Sequence, residues 1–268
     1  MNDLSEKKMF SLEGKVVVLT GATGYFGKSF AHSLCNMGAT IILVSRNNVN
    51  LRNLRSDLLE LGHANVDVYS ADLFNDDERK KLFKYVESSY EKVDVLINNA
   101  YSGNPGTIDS SSISDFSEAF DITVTAAFRL VQLFQPLLSR TEGSSSVINI
   151  ASMYGVVSPD GEIYGNNGLN NPPYYGAAKA GLIQLTRYLA CHMADKGIRV
   201  NSVSPGAFPP VDISSKNPKF YKELCRKTPM NRIGLPHELS GVLLLLASDS
   251  SSFITGANIP VDGGWTAW

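Results

Sequence analysis

Apolar residues along this chain follow two rhythms that take turns almost from end to end. Short β-branched runs are apolar without alternation: Val16-Val17-Val18-Leu19, Ile41-Ile42-Leu43-Val44, Val66 to Tyr69, Val93-Asp94-Val95-Leu96-Ile97, Val147-Ile148-Asn149-Ile150, Val200 to Val203 and Ile259 to Val261. They predict about seven strands buried on both faces. Between them the period becomes helical: Leu51, Leu54, Leu58 and Leu61 share one face, and Gly62, like Gly38 and Gly197, stands where a helix stops before a strand. This alternation implies a Rossmann-like α/β fold, a doubly wound parallel sheet with right-handed crossovers and helices on both faces. Its ligands are expected beyond the carboxyl ends of the strands. The expected organisation is a short N-terminal extension over 1–11 and a single domain over 12–268. Two stretches break the rhythm, 153–173 and 207–235, both rich in residues that favour irregular backbone. Long irregular segments at this edge are expected to shape a substrate pocket.

Composition narrows the partners. The 26 acidic and 24 basic residues leave a net charge of -2 without long like-charge runs, which argues against nucleic acid or an anionic membrane as partner. A small-molecule substrate is the default. Met1 to Lys8 lack the apolar stretch of a secretory signal, and runs such as Val242 to Ala247 are too short to span a bilayer, so a soluble cytoplasmic protein is expected. Cys35, Cys191 and Cys225 show no CxxC or His-paired spacing, so they read as reduced core thiols and no metal is expected. His32, His63, His192 and His237 fall in or beside helical patterns without an acidic neighbour at a strand end, and read as structural.

Gly21, Gly24 and Gly27 follow the first strand at once and open a helix that runs to about Met37. Glycine suits such a turn because the backbone needs positive φ and because a Cβ would block a pyrophosphate from the N–H groups of the helix start. Thr23, Tyr25 and Phe26 fill the same turn. Ser45 and Arg46 stand at the end of the second strand, where a carboxylate would grip the ribose hydroxyls of NAD(H). A small hydroxyl beside a guanidinium suits a 2'-phosphate better, which favours NADP(H) and leaves NAD(H) possible.

Tyr175 and Lys179 are four residues apart in a stretch that reads as helix from Tyr174 to Asp195, so both lie on one face. A phenol is a poor base at neutral pH, but a neighbouring ammonium and the positive nicotinamide ring both favour the phenolate and are expected to bring its pKa down. Ser152 follows the strand that ends at Ile150, on the edge where the dinucleotide ring would lie. Its hydroxyl is placed to orient a substrate carbonyl that Tyr175 protonates.

In combination these segments resemble the short-chain dehydrogenase/reductase family, single-domain branch, from about Leu12 to Gly264. The resemblance is carried by the glycine turn, Ala71-Asp72-Leu73, Asn98-Asn99-Ala100, Ser152, Tyr175-x-x-x-Lys179, Arg199 to Gly206 and Ile254-Thr255-Gly256 through Val261 to Gly264. It implies NAD(P)-linked oxidoreduction of a carbonyl or alcohol, with Ser152 orienting substrate, Tyr175 as acid/base, and Lys179 acting on Tyr175 and the nicotinamide ribose. It further implies that Asp72 and Leu73 meet the adenine, that Asn98, Asn99 and Ala100 lie beside the adenosine half, and that Pro205, Gly206, Ala207 and Phe208 border the nicotinamide. A homotetramer or dimer is implied as well.

Four departures qualify the resemblance. The glycine spacing G-x-x-G-x-x-G is more like that of the extended, sugar-nucleotide-modifying branch, which keeps an epimerase or dehydratase as a second reading. Thr123 stands where the family usually has an Asn that supports a proton-relay water, and its hydroxyl is expected to bond back to the preceding helical turn. Pro210 replaces a Thr that often contacts the cofactor. With Thr123 this motivates a third reading, a dinucleotide-binding protein with weakened turnover. Finally, the segment between Ser152 and Tyr175 is about ten residues longer than usual in the family. Tyr154, Tyr164, Asn166, Asn167 and Asn170 within it are suited to stacking on and bonding to a polyhydroxylated ligand. That segment and the ending Trp265-Thr266-Ala267-Trp268 are similar to bacterial members linked to surface-sugar or flagellar glycan synthesis, which makes a sugar derivative one candidate for the carbonyl or alcohol substrate; a surface loop serving assembly is the other reading of the segment.

Overall fold

The computed structural model describes residues 9–165 and 170–268, so Asn166 and Asn167 lie outside the described residues. Each of the seven β-branched runs becomes a strand: β1 Val16–Thr20, β2 Thr40–Ser45, β3 Val66–Ser70, β4 Val95–Asn98, β5 Ser145–Ile150, β6 Ile198–Pro205 and β7 Asn258–Val261. They form one parallel sheet in the order β3-β2-β1-β4-β5-β6-β7, so the winding direction reverses between β1 and β4. That reversal opens a crevice at the carboxyl ends of these two strands.

The helices are α1 Tyr25–Asn36, α2 Asn48–Glu60, α3 Asp76–Ser89, α4 Ile113–Phe120, α5 Ala126–Leu138, α6 Pro173–Met193, α7 Ile213–Lys216, α8 Pro218–Lys227 and α9 Ser240–Ala247. Residues of α1, α2 and α9, such as Leu34, Leu54 and Leu246, pack with Val17, Leu19, Ile41 and Ile97 on one face of the sheet. Residues of α3, α5 and α6, such as Leu82, Phe134 and Leu189, pack with Val18, Ile42, Leu96 and Val147 on the other. Successive strand residues thus feed opposite faces, which is why the runs carry no alternation. No described helix is long and apolar enough to cross a membrane.

Several expectations need correction. β3 and β7 are edge strands with half-buried and exposed positions rather than strands buried on both faces. Leu61 caps α2 and is exposed, because the helix ends before its face returns to the sheet. The 207–235 segment is not wholly irregular. Its prolines start and break helices, with Pro218 at the first position of α8 behind an Asn217 cap. Cys35 is buried, but Cys225 is only half-buried and Cys191 is exposed on α6, so the three are not all core thiols.

The glycine turn locks α1 against β1. A Cβ on Gly27 would lie 2.2 Å from the Gly21 carbonyl oxygen and 2.7 Å from the Ala22 carbonyl carbon, both backbone atoms that cannot step aside. Gly27→Ala is therefore expected to lower unfolding free energy by about 2 kcal/mol or more, read from the midpoint of a urea titration.

Candidate active site

The crevice between β1 and β4 is a cavity of about 390 Å³. Its floor is the glycine turn with Gly21, Thr23, Gly24, Tyr25 and Phe26. Ser45 and Arg46 from the end of β2, and Asp72 and Leu73 after β3, close one end; Asn99, Ala100, Tyr101, Ile150, Tyr175 and Lys179 close the other. Gly21 has φ of 63°, and a Cβ on it would lie 2.9 Å from the Ala100 Cα, so glycine is required both by backbone conformation and by close approach. Gly24 differs. It is the N-cap of α1 with φ of -74°, a conformation any residue adopts. What glycine does there is leave the helix start bare: α1 has no side-chain cap and no acidic residue in its first turn, whereas Asn47, Asn75 and Ser112 cap α2, α3 and α4. Bare N–H groups and the positive end of the helix dipole facing a cavity suit a pyrophosphate. The residues present thus fit a dinucleotide.

Ser152, Tyr175 and Lys179 are brought together by α6 packing against the turn that follows β5. Ser152 starts a short 3-10 turn, Met153–Gly155, and its Oγ accepts from the Tyr154 N–H at 3.1 Å, while its own hydroxyl faces the Tyr175 phenol. Glycines permit the contact: a Cβ on Gly155 would sit 2.8 Å from the Lys179 carbonyl carbon, and one on Gly176 would sit 2.7 Å from the Tyr154 carbonyl oxygen. A buried polar seam fixes the same helix from below. Asn98 Nδ2 donates to Asn149 Oδ1 at 2.8 Å, Asn149 Nδ2 to Thr186 Oγ1 at 2.8 Å, and the Thr186 hydroxyl to the Leu182 carbonyl at 2.8 Å, joining β4, β5 and α6.

Lys179 is only 4% exposed, and its Nζ donates to the Ile150 carbonyl at 2.7 Å. Burial without a carboxylate partner pushes its pKa down to about 7. Tyr175 is shifted the other way: burial raises its phenol above the ordinary value, and the Ser152 hydroxyl offsets part of that rise. The expectation that Lys179 makes Tyr175 unusually acidic is therefore not met in the protein without ligand. The amine lies 5.7 Å from the Tyr175 ring centroid and donates to a backbone oxygen, and desolvation is the largest cause of the shift at both groups.

Thr123 also behaves differently from expectation. It lies in a π-helical turn, Asp121–Thr125, between α4 and α5, and its Oγ1 is buried without a hydrogen-bond partner among the described residues, rather than bonded back to the preceding turn. The widened turn, not the Thr hydroxyl, loosens the helix here. Asn98 Oδ1 is likewise unpartnered, and Thr123, Asn98 and Lys179 line one small void of about 10 Å³.

Other expected residues lie apart from the cleft wall or brace it from the side. Asn98 sits in the β4–β5–α6 seam. Asn99 is at the wall but works largely as a brace, its Nδ2 donating to the Thr20 carbonyl at 3.0 Å and the Gly21 carbonyl at 3.1 Å. Pro205 ends β6, and Gly206 is pressed against Asp262, where a Cβ would come within 2.5 Å of the Cα. Phe208 stands edge-on to Phe26 with centroids 5.6 Å apart, and the Tyr25 hydroxyl donates to the Pro209 carbonyl at 2.9 Å, so the glycine turn holds the start of the 207–235 segment. Tyr154 and Tyr164 place their hydroxyls 3.1 Å from each other, and Tyr164 stacks on Phe220 of α8. Asn170 lines a separate hollow beside them. Sequence reasoning missed Gly155, Gly176 and, above all, Tyr101, whose ring meets Tyr175 edge to face at 5.0 Å. The only signal for Tyr101 was its place directly after Asn98-Asn99-Ala100.

Sheet order, bare helix start and cleft together define a Rossmann-type dinucleotide-binding protein. Comparisons with known proteins narrow this. Residues 21–266 match the family described as Enoyl-(Acyl carrier protein) reductase. The chain is 33% identical over 254 residues to the 3-oxoacyl-(acyl-carrier-protein) reductase FabG of Thermotoga maritima, covering 94% of this chain and 98% of that protein. It is 29% identical over 265 residues to the 7alpha-hydroxysteroid dehydrogenase of Bacteroides fragilis, covering 96% of each. Among solved structures it is similar to the Pseudomonas aeruginosa RhlG/NADP active-site complex, with a TM-score of 0.86 at 27% identity over 96% of this chain and 98% of that one. A short-chain dehydrogenase from Leptospira borgpetersenii with bound NAD+ gives a TM-score of 0.83 at 29% identity over 96% and 94%. The chain belongs to the short-chain dehydrogenase/reductase family, and it is an NAD(P)-dependent oxidoreductase of that family.

The depressed amine has a consequence for stability. Below about pH 7 folded and unfolded chains both hold the Lys179 proton, so the full cost of burying the charge is present. As pH rises from there toward the ordinary lysine value the unfolded chain binds more protons, and the cost fades. Lys179→Met is therefore expected to stabilise the cofactor-free protein at pH 6 by on the order of 2 kcal/mol. The gain over wild type should shrink steadily toward pH 10, as read by urea unfolding across the range.

Proposed function

We propose that the protein reduces a carbonyl, or oxidises the matching alcohol, of a small molecule with NADP(H) as the preferred cofactor. The observation that carries this reading is that Tyr175 and Lys179 line the same cleft as Arg46, with the Ser152 hydroxyl acting on the Tyr175 phenol from behind the cleft wall. The bound dinucleotide supplies or accepts the hydride. Ser152, its Oγ already accepting from Tyr154, turns the hydrogen that faces Tyr175 in the free protein toward the substrate oxygen and orients it. Tyr175 gives that oxygen a proton in reduction and takes it back in oxidation. Lys179, held by Ile150 and within reach of the cleft, bonds the ribose side of the cofactor and, when charged, favours the phenolate that Tyr175 must pass through.

Arg46 supports the NADP(H) preference. It is exposed at the rim, no carboxylate ends β2, and Ser45 Oγ lies 2.7 Å from Thr23 Oγ1, so hydroxyls adjoin it from β2 and the glycine turn, while Asp72, Glu78 and Lys81 share its hollow on the β3 side. A planar guanidinium matches a 2'-phosphate. Tyr154 and Tyr164 are engaged with each other and with Phe220, so the proposed substrate class stays that of the reacting groups, a carbonyl or secondary alcohol. Exposed Phe128 on α5 and Tyr188 on α6 support a homo-oligomer, dimer or tetramer.

Two measurements test the reading. Tyr175→Phe should lower kcat for carbonyl reduction by about 10²–10⁴-fold with the fold intact; undiminished turnover would remove Tyr175 from the reaction. Arg46→Asp should lower kcat/KM for NADPH by about 10- to 100-fold while sparing NADH. Equal use of both cofactors by the wild type would end the NADP(H) proposal.

A further inference from the structure

We infer that Tyr101 is a positioning residue of this site, its aromatic face holding the Lys179 ammonium beside Tyr175. Lys179 Nζ lies 5.2 Å from the Tyr101 ring centroid and 5.7 Å from that of Tyr175, and the two rings meet edge to face at 78° with centroids 5.0 Å apart. Amine and rings form a closed triangle, and the Ile150 carbonyl is the fourth member. A cation over a ring face is attracted by the ring quadrupole, most strongly where water is excluded, and Lys179 is almost wholly buried.

The surroundings leave few other sources of negative potential. From β5 the amine meets the Ile150 carbonyl, and from its own helix the Tyr175 ring. The β4 end and the π-helical turn bring uncharged Asn98 and Thr123 to the void that Lys179 also lines. No carboxylate among the described residues acts on the amine; burial is what moves it. A π face is then one of the few features that favours the charged form.

The backbone around Tyr101 is built to deliver the ring. Thr20 Oγ1 accepts from the Asn99 and Ala100 N–H groups at 3.0 and 3.2 Å, and Asn99 Nδ2 is tied to the glycine turn, so the chain enters Tyr101 from an anchored arm. It then folds back over the ring: a Cβ on Gly103 would lie 2.2 Å from the Tyr101 hydroxyl oxygen and 2.8 Å from Cζ. Gly103 has no positive φ that would call for glycine. The space taken by the Tyr101 ring is the reason for it.

Removing the ring weakens the hold on the proton of Lys179, and a less charged Lys179 gives less support to a Tyr175 phenolate. The consequence for turnover rests on the function proposed above; the placement of the amine does not. The deciding experiment therefore reads the amine directly, by side-chain ¹⁵Nζ NMR titration of lysine-labelled, cofactor-free protein, with the Lys179 signal assigned by its loss in Lys179→Arg. Tyr101→Leu is expected to lower the Lys179 pKa by about 0.5–1.5. Tyr101→Phe, which keeps the π face, should restore the wild-type value. Gly103→Ala, which touches neither Lys179 nor Tyr175, should displace the ring and move the amine in the same direction as Tyr101→Leu. It also carries the test if Tyr101→Leu does not fold. The acidic limb of the pH-rate profile should differ between Tyr101→Leu and wild type, and Tyr101→Phe should follow wild type. An unchanged or raised Lys179 pKa in both Tyr101→Leu and Gly103→Ala overturns the inference. Inactive Tyr101 variants with an unmoved amine also overturn it, whereas a moved amine in a protein whose Tyr175→Phe variant stays active would overturn only the proposed reaction.

Discussion

Lys179 is taken out of water beside one carbonyl oxygen and two aromatic faces, and no carboxylate goes with it. Burying a charge in this way is costly, so the surrounding structure has to hold the helix that carries it. Two devices do so. Gly155 and Gly176 let the turn after β5 approach α6 to backbone contact, and the Asn98-Asn149-Thr186 seam ties the same helix to two central strands. The desolvation that presses the amine down presses the Tyr175 phenol up, so proton distribution at the site depends on whatever charge next enters the cleft.

The opposite end of the cleft follows a different rule. Three helices of the sheet are closed by side-chain caps, and α1 alone among these four is left open by Gly24. An uncapped helix start facing a cavity forgoes a stabilising hydrogen bond in the free protein and keeps its donors for an anion. Tyr25 and Phe26, in the first turn of that helix, hold Pro209 and Phe208, so the turn that would receive phosphate also fixes the beginning of the 207–235 segment. The glycine turn and the 207–235 segment are thus held as one wall.

Between them the π-helical turn at Asp121–Thr125 carries Thr123, whose hydroxyl is buried and unpartnered among the described residues beside an equally unpartnered Asn98 Oδ1. Thr123, Asn98 and Lys179 line one small void, so uncharged polar groups from the π-helical turn and β4 reach the amine.

Local periodicity was enough for the seven strands, the crossover helices and the shared helix face of Tyr175 and Lys179, because backbone pattern and i, i+4 spacing are properties of neighbouring residues. Edges were not legible: β3 and β7 read like central strands because their pairing on one side only is decided by sheet order. The helix α8 was hidden by flanking prolines that also serve as helix starts. Asn98 and Asn99 were visible as a motif, but that one braces a seam and the other a turn follows from contacts dozens of residues apart. The sequence by itself determined which groups exist and which share a helix face. Only the tertiary structure decided their solvation, and with it the direction in which Tyr175 and Lys179 shift and the presence of Tyr101 over the amine, since desolvation and ring contacts depend on segments the chain brings together from afar.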